Sequence, residues 1–210
     1  MNRISTLWRI AAFTALISLT AGAVAQDEID EITVTADFRE RSVNELPASI
    51  TVLAEEAIES LAVQHFVELV NVVPNLSWSG DGHRARYFQI RGVGELEQYQ
   101  GAPNPSVGFL IDDIDFSGIG TVATLFDMGQ VEVLRGPQGT RYGANALGGL
   151  IYMQSAAPTT EFESRAQLTV GGDDTLAAGF AAGGALSDDG RVAGRLSCLL
   201  YTSPSPRDED

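Results

Sequence analysis

Residues 131–149 read VEVLRGPQGTRYGANALGG, and this stretch decides the fold. Its first four residues are mostly apolar and include two valines, which is typical of a buried strand. Gly136 and Pro137 do not suit a strand interior, so a sharp turn is predicted directly after it. The glycines that follow suit places where two backbones approach closely, because they carry no side chain. The stretch therefore predicts a buried strand, a tight turn and, after the turn, a glycine-rich segment whose backbone packs closely against another.

The residues on either side predict short helices and further strands. Residues 49–53 alternate as a strand, and residues 54–61 favour a helix. Residues 66–73 give a second helix one apolar face, and Pro74 ends it. Further strands are predicted at 87–91, 107–111, 130–134 and 150–154, between turns rich in glycine, proline and asparagine. The predicted fold class is therefore α+β, a small mixed sheet with short helices.

The stretch at 131–149 closely resembles the VEVLRGPxGxxYGxxAxGGxI signature of the plug domain of TonB-dependent outer-membrane receptors. Two earlier pieces agree with that family in order and spacing, LPASI at 46–50 and FQIRG at 88–92. Arg141 stands where many relatives have leucine, a difference that affects local packing. The resemblance implies a plug domain over residues 46–158. Its signature residues are Gly136, Pro137, Gly139, Tyr142, Gly143, Gly148 and Gly149.

The composition argues against a nucleic-acid partner. Of the 210 residues, 28 are acidic and 13 are basic, and the net charge is −15. Such a charge is repelled by a phosphate backbone. All of the basic residues are arginine, and the absence of lysine excludes a Walker-type phosphate loop.

Residues 1–25 read as a secretory signal. Two arginines supply its basic start, and the apolar stretch at 10–20 is too short to span a bilayer. The Ala-Val-Ala sequence that follows is a pattern that signal peptidase cleaves, so cleavage is predicted between Ala25 and Gln26. The alternative is an uncleaved membrane anchor. Together with the resemblance, the signal predicts location in the outer membrane of a Gram-negative bacterium.

Residues 26–45 form a polar segment whose centre is β-prone. Ile32, Val34 and Ala36 alternate with threonines, and such an isolated segment can add itself as a strand to another protein's sheet. The segment resembles a TonB box, which implies that the periplasmic protein TonB, with its inner-membrane energising complex, is a partner. The alternative is the first strand of a periplasmic domain. The predicted TonB-binding residues are Ile29, Asp30, Glu31, Ile32, Thr33, Val34, Thr35 and Ala36.

Residues 159–197 predict the first two to three antiparallel strands of an incomplete transmembrane β-barrel, with outer-membrane lipid as a partner. Within 161–170 the even positions are mostly apolar and the odd positions are polar, as lipid-facing and lumen-facing sides require. A weaker strand is predicted at 176–186, a tight turn at 187–190 and the start of a third strand at 191–197. By resemblance the turn is periplasmic.

Residues 198–208 read CLLYTSPSPRD, which resembles the translation of a transposase-end adapter used in sequencing libraries. We therefore predict that residues 198–210 are foreign and that the gene is cut short. Cys198 is the only cysteine of the chain, so no disulfide is expected. Barrels of this family have about 22 strands and need about ten residues per crossing, so we expect that this chain as written does not transport.

The resemblance also implies a mechanical role for two plug arginines. In relatives, the arginines of the two Arg-Gly steps pair with glutamates on the inner barrel wall, and these arginines correspond to Arg91 and Arg135. A buried charge needs such a partner because it loses its hydration. The alternative is that Glu132 or an aspartate of the plug pairs with them locally. We call Arg91, Arg135 and Glu132 the predicted lock residues.

The function implied by the resemblance is energised transport, in which TonB displaces part of the plug and the ligand is not altered chemically. The resemblance places ligand-facing loops near residues 80–86, 95–100 and 116–120. Ferric siderophores are the commonest cargo of the family. Oligosaccharide, haem and cobalamin are alternative ligands. A receptor that binds its ligand without transporting it is the alternative function. The candidate contacts are His83, Arg84, Tyr99 and Phe116.

Competing kinds of site find little support in the sequence. The Gly-Val-Gly run at 92–94 begins a dinucleotide fingerprint, but Glu97 stands where its third glycine should be. Asp112, Asp113 and Asp115 could hold a hard cation, although acids at the end of a strand more often form a solvated rim. No Ser-His-Asp or Cys-His arrangement has motif support. We therefore predict no catalytic site, no metal site and no cofactor.

Overall fold

The computed structural model describes residues 33–34, 41–42, 48–61, 63–80, 85–96, 104–119, 123–172, 176–187 and 189–202. The predicted signal segment, with its cleavage site at Ala25 and Gln26, lies outside the described residues. The helices are α1 (Glu55–Leu61), α2 (Phe66–Leu69) and α3 (Gly139–Tyr142), and a 3-10 turn follows at Gly143–Asn145. The strands are β1 (Thr33–Val34), β2 (Arg41–Ser42), β3 (Ser49–Ala54), β4 (Leu76–Ser79), β5 (Tyr87–Ile90), β6 (Val107–Ile111), β7 (Ile114–Asp115), β8 (Met128–Arg135), β9 (Gly149–Ser155), β10 (Glu163–Val170), β11 (Leu176–Ala185) and β12 (Ala193–Thr202). In this part of the chain no helix has the length and apolar character needed to cross a membrane.

A mixed sheet forms the centre of the domain, with its strands in the order β3-β8-β9-β6-β7. β8 pairs antiparallel with β3 and β9, whereas β6 runs parallel to β9, with Val107 opposite Gly149. Half of β8 and most of β9 are buried, because both faces of the sheet are covered there. The predicted α+β class with a small mixed sheet is confirmed.

One face of this sheet carries the main hydrophobic core. The Phe66 ring of α2 has its centroid 5.0 Å from that of Phe88 and 5.4 Å from that of Phe109. Val131 and Val133 of β8 belong to the same cluster and are buried. Edge-to-face contact between aromatic rings stabilises such a core beyond simple burial. The core therefore holds α2 and β5 against the sheet.

The opposite face of the sheet carries a smaller cluster. Leu134, Leu150 and Tyr152 alternate with the main-core residues along β8 and β9, because successive side chains of a strand point to opposite faces. Leu110 of β6 joins them. Val34 of β1 packs in the same cluster and is completely buried. A segment that precedes the sheet in sequence thus covers part of its second face.

The stretch after β8 forms the predicted sharp turn. The Gly136 N–H donates to the Gly148 carbonyl oxygen at 3.1 Å, which closes the turn at its base. Gly149 then opens β9 with a φ of +156°, and a Cβ there would lie 2.5 Å from the Leu134 oxygen and 2.7 Å from Ile90 Cδ1. A larger residue has no room at this position, so glycine is required. The one-turn helix α3 inside the stretch was not predicted, since four residues are too few to show a helical period.

β10, β11 and β12 form a separate antiparallel sheet, which we call the wall sheet. Ala177 and Ala181 of β11 are buried on its inner side, where Gly179 between them lies against the Phe126 ring. Its outer side is mostly apolar and exposed, as the alternation at 161–170 predicts, and the contact of this side with lipid stays a prediction. The large exposed residues of this sheet and of the residues beside it are Phe162, Leu168, Val170, Leu176, Phe180, Leu186, Val192, Leu196 and Leu200.

Some elements differ from those predicted. α2 ends at Leu69 instead of residue 73, because the Val72 and Val73 N–H groups both donate to the Leu69 oxygen and the chain turns away. The short strands β4 and β7 were not predicted, since each forms through its hairpin partner, β5 or β6. β12 runs beyond residue 197 into the segment predicted to be foreign, where Thr202 still pairs with Leu176.

Candidate functional site

The structure brings together the described ends of the three predicted ligand-facing loops. The Ser79 hydroxyl, just before the first loop, donates to the Glu95 carbonyl oxygen at the start of the second loop, at 2.8 Å. Arg86 Nε, at the end of the first loop, donates to the Gly118 carbonyl oxygen of the third loop at 3.3 Å. The Arg86 guanidinium also lies over the Tyr87 ring, 5.6 Å from its centroid. These contacts bring the described ends of the three predicted loops close together.

Phe116 is the candidate ligand contact that the structure describes. It is partly buried and packs against the main core, and its N–H donates to the Phe109 carbonyl oxygen at 2.8 Å. Phe116 therefore helps to anchor the third loop, and its contact with a ligand stays a prediction. The other candidate contacts lie outside the described residues: His83, Arg84 and Tyr99.

Two residues of the predicted TonB box are described, and both contact the plug. Thr33 pairs with Ser42 and Val34 with Arg41 in the small sheet β1-β2. Val34 is buried in the smaller hydrophobic cluster around Leu134. Gln130 Nε2 donates to the Thr33 carbonyl oxygen at 2.8 Å. The remaining box residues lie outside the described part: Ile29, Asp30, Glu31, Ile32, Thr35 and Ala36.

Glu132 lies next to this contact, inside the domain. Its side chain is completely buried on β8, and its Oε1 accepts a hydrogen bond of 2.8 Å from Gln130 Nε2. The amide of Gln130 therefore bridges a buried carboxylate and the backbone of the box. A buried carboxylate depends on such donors, because its ionised form loses hydration.

Arg91 and Arg135 occupy neighbouring turns of the plug. Arg91 has a φ of +54° in the turn between β5 and Val93, whereas Arg135 donates from Nε to the Pro74 oxygen at 3.2 Å and from Nη2 to Thr51 Oγ1 at 2.5 Å. Partial burial, and then the positive charge of Arg91, lower the pKa of Arg135.

Among the contacts of the described residues, no ion pair joins Glu132 to Arg91 or Arg135. Among the described residues, Arg91 and Arg135 form no ion pair. Arg135 lies three residues from Glu132 along β8, and the alternation of the strand therefore directs the two side chains to opposite faces. The local pairing that the sequence left open is absent from the described residues.

Ion pairs that the sequence analysis missed connect the wall sheet to the plug. Arg195 of β12 donates from Nη2 to Asp127 Oδ1 at 2.5 Å and from Nε to Asp127 Oδ2 at 2.9 Å, and its Nη1 lies 3.7 Å from Glu163 Oε2. Arg165 of β10 binds Glu59 of α1 at 2.8 Å and also binds Glu55. Both arginines lie at odd positions of their strands, on the inward-facing side. Their place in the polar and apolar alternation is the sequence signal that could have identified them as inward-facing.

The aspartates at the end of β6 form a hairpin turn. Asp112 and Asp113 have φ of +49° and +66°, which suits a tight two-residue turn between β6 and β7. Asp112 accepts hydrogen bonds from the Ser155 N–H and hydroxyl, and Asp113 accepts one from the Tyr152 hydroxyl at 3.0 Å. Burial, and then this hydrogen bond, raise the pKa of Tyr152. Within the described residues no group of acids, histidines or cysteines is arranged to hold a metal ion.

Comparison with known proteins adds a family and several relatives. A sequence profile described as the TonB-dependent Receptor Plug Domain matches residues 42–150, which is more than half of the chain. The pesticin receptor of Yersinia pestis is 26% identical over 200 residues, covering 94% of this chain and 29% of that protein. The iron-regulated outer membrane virulence protein of Vibrio cholerae is 29% identical over 202 residues, covering 92% of this chain and 31% of that protein.

A solved structure shows the same likeness in three dimensions. The ferric yersiniabactin uptake receptor of Yersinia pestis superposes with a TM-score of 0.64 and 29% identity, over 76% of this chain and 25% of that one. The chain thus spans less than a third of the length of these relatives.

Proposed function

Since this chain belongs to the TonB-dependent receptors that carry a plug domain, we propose that it gates the energised uptake of a scarce ligand through the outer membrane. Receptors of this family lie in the outer membrane and are not enzymes. In this proposal the ligand binds from outside without chemical change, and TonB supplies the work that moves the plug. The rest of the barrel belongs to the complete receptor.

The observation that carries the proposal is the contact between the box and the plug at Gln130. The Thr33 oxygen and the buried Glu132 carboxylate share the amide of Gln130, and Val34 fills the cluster on the same face. A force that withdraws the box removes one hydrogen-bond acceptor from Gln130 and opens the cluster around Leu134. Because Gln130 lies on β8, the strand that leads into the signature turn, such a force reaches the centre of the plug.

TonB is the proposed partner at residues 29–36. A β-prone segment joins another protein's sheet through backbone hydrogen bonds, and this requires free N–H and C=O groups along one edge. In β1, Thr33 and Val34 already pair with β2. In the proposal, TonB competes with β2 for the backbone N–H and C=O groups of β1. Val34 leaves the hydrophobic cluster around Leu134 when β1 is fully paired with TonB.

A ferric siderophore is the proposed ligand. The support is the class of relative: one is a ferric yersiniabactin uptake receptor, and another is an iron-regulated outer membrane protein. The three gathered loops around Ser79, Glu95 and Gly118 provide the proposed binding surface. Among the candidate contacts, Phe116 would contribute an aromatic surface, and His83, Arg84 and Tyr99 would contribute polar groups.

Arg91 and Arg135 are the proposed plug side of a lock to the barrel. Both carry a positive charge without an ion-pair partner among the described residues, and burial, followed by the positive charge of Arg91, lowers the pKa of Arg135. A carboxylate on a later part of the barrel wall would relieve the repulsion between the two charges. Glu132 would then stabilise β8 from its other face through Gln130 and would not bind the arginines.

Uptake in iron-starved cells tests this function. A complete receptor that contains this chain is expected to accumulate a labelled ferric siderophore in cells with TonB and to bind it without accumulation in cells without TonB. Accumulation of cobalamin, haem or an oligosaccharide instead would overturn the ligand class. Binding with no accumulation in either strain would favour the receptor that binds without transport.

A further inference from the structure

Glu95 makes an unusual contact across the second ligand-facing loop. Both of its carboxylate oxygens accept the Ser106 N–H at 2.9 Å, and Oε1 also accepts the Ser106 hydroxyl at 2.7 Å. Eleven positions separate the two residues in the chain. Within the described residues no arginine forms an ion pair with Glu95, and the donors to its carboxylate there are the N–H and the hydroxyl of Ser106. Hydrogen bonds to a charged acceptor are among the stronger ones in proteins.

The backbone of Glu95 is held as firmly as its side chain. Its carbonyl oxygen accepts hydrogen bonds from the Ser79 hydroxyl at 2.8 Å and from Gln89 Nε2. Gln89 is buried, and its amide also contacts Ser79 Oγ at 2.8 Å, while its Oε1 accepts the Ser77 hydroxyl at 3.1 Å. Glu95 therefore joins the end of β4, the middle of β5 and the start of β6.

Ser106 extends this series of hydrogen bonds to the turn after β8, at residues 136–149, which we call the signature turn. Its carbonyl oxygen accepts the Gly148 N–H at 2.7 Å, and the Gly148 oxygen accepts the Gly136 N–H at 3.1 Å. A Cβ on Gly148 would lie 2.8 Å from Val93 Cγ1, so the turn that precedes this loop is also in close contact with Gly148. A continuous series of hydrogen bonds thus runs from the Glu95 carboxylate to the residue after Arg135.

We propose that Glu95 is a positioning residue that holds the ligand-facing loops together and keeps them in register with the signature turn through Ser106 and Gly148. The inference rests on the proposed function, since it takes these loops to be the ligand-binding surface. In this proposal, a ligand that displaces Glu95 also moves Ser106. Because the Ser106 carbonyl oxygen accepts the Gly148 N–H, this movement breaks the hydrogen bond to Gly148. The lock arginine Arg135 lies one residue from the end of this series.

Hydrogen exchange on the whole chain tests the positioning role without any ligand. In Glu95→Ala the Ser106 amide is expected to exchange about tenfold faster or more, because it loses its charged acceptor. The Gly148 amide, which does not contact Glu95, is expected to exchange at least about threefold faster. Glu95→Gln keeps one acceptor oxygen and should restore most of the protection at both amides. Glu56→Ala, which removes an exposed acid of α1, is the control and should change neither amide.

The exchange result decides the proposal in either direction. An unchanged Ser106 amide in Glu95→Ala, or a Gly148 amide that does not respond, would overturn it. A general loss of protection across β8 and β9 would also overturn it, because Glu95 would then support the fold and not the register of the loops.

A transport measurement adds the functional consequence, with ferric yersiniabactin as the probe in a complete receptor that contains this chain. Glu95→Ala is expected to raise the half-saturating concentration about tenfold with little change in maximal rate, and Glu95→Gln is expected to recover most of the affinity. If the unsubstituted receptor takes up no ferric yersiniabactin, the proposed ligand fails, whereas the exchange experiment still decides the role of Glu95.

Discussion

Arg195 of the wall sheet and Asp127 of the plug form a two-bond ion pair, and their side chains expose only 10% and 3% of their surface. The two residues are 68 positions apart in the chain. A bidentate arginine–carboxylate pair is strong and directional, and burial protects it from screening by salt. The pair therefore fixes β12 against the turn that leads into β8.

Asp127→Ala should lower the free energy of unfolding of this chain by about 3 kcal/mol, because the buried Arg195 would lose both of its charged hydrogen bonds and keep only the longer 3.7 Å contact with Glu163. Urea unfolding followed by circular dichroism measures the change. Asp189→Ala is the matched control, since its partner Arg191 exposes 86% of its side chain and the pair lies at the surface. A loss as small in Asp127→Ala as in the control would contradict a stabilising role for the buried pair.

Gly179→Val should push the wall sheet away from the plug. A Cβ at this position would lie 2.5 Å to 2.7 Å from atoms of the Phe126 ring. Overpacking of this kind costs about 1 to 3 kcal/mol, which the midpoint of urea unfolding would report. Ala178→Val adds similar bulk one residue earlier, where the side chain is exposed on the outer side, and should be nearly neutral. Equal shifts for the two variants would show that the contact with Phe126 is unimportant.

Val34→Pro should abolish uptake by a complete receptor and leave ligand binding nearly intact. Proline removes the N–H that a paired strand needs and restricts φ, so the box cannot be added to a sheet of TonB. Val34→Thr keeps the shape and the N–H, and it should retain most of the uptake. Labelled-ligand accumulation and binding are measured in the same cells. Uptake at the unmodified rate by Val34→Pro would refute the assignment of the box.

Arg135→Ala should destabilise the plug more in a complete receptor than in this chain. The chain alone loses hydrogen bonds to Pro74 and Thr51, which costs about 1 kcal/mol. The complete receptor also loses the proposed pair with a barrel carboxylate and should lose about 3 kcal/mol more. Protease susceptibility and denaturant unfolding compare the two proteins. Equal losses in both would rule out a lock between plug and barrel.

The sequence by itself determined the kind of domain and most of its strands. The predicted strand at 107–111 coincides with β6, and the strands at 130–134 and 150–154 form the central parts of β8 and β9. These segments are short and mostly apolar, and hydrophobic pattern together with the turn residues that flank them is enough to place such strands. The alternation at 161–170 likewise predicted which side of β10 is exposed.

Only the tertiary structure decided which residues meet. Alternation shows that Arg165 and Arg195 face inward, but it does not show that Glu55, Glu59 and Asp127 lie opposite them. The same holds for Glu95 and Ser106, whose contact depends on how the chain returns between β5 and β6. A local pattern specifies the direction of a side chain relative to its own strand. The identity of its partner depends on the packing of elements that are distant in sequence. The alternation of residues within one strand does not show that packing.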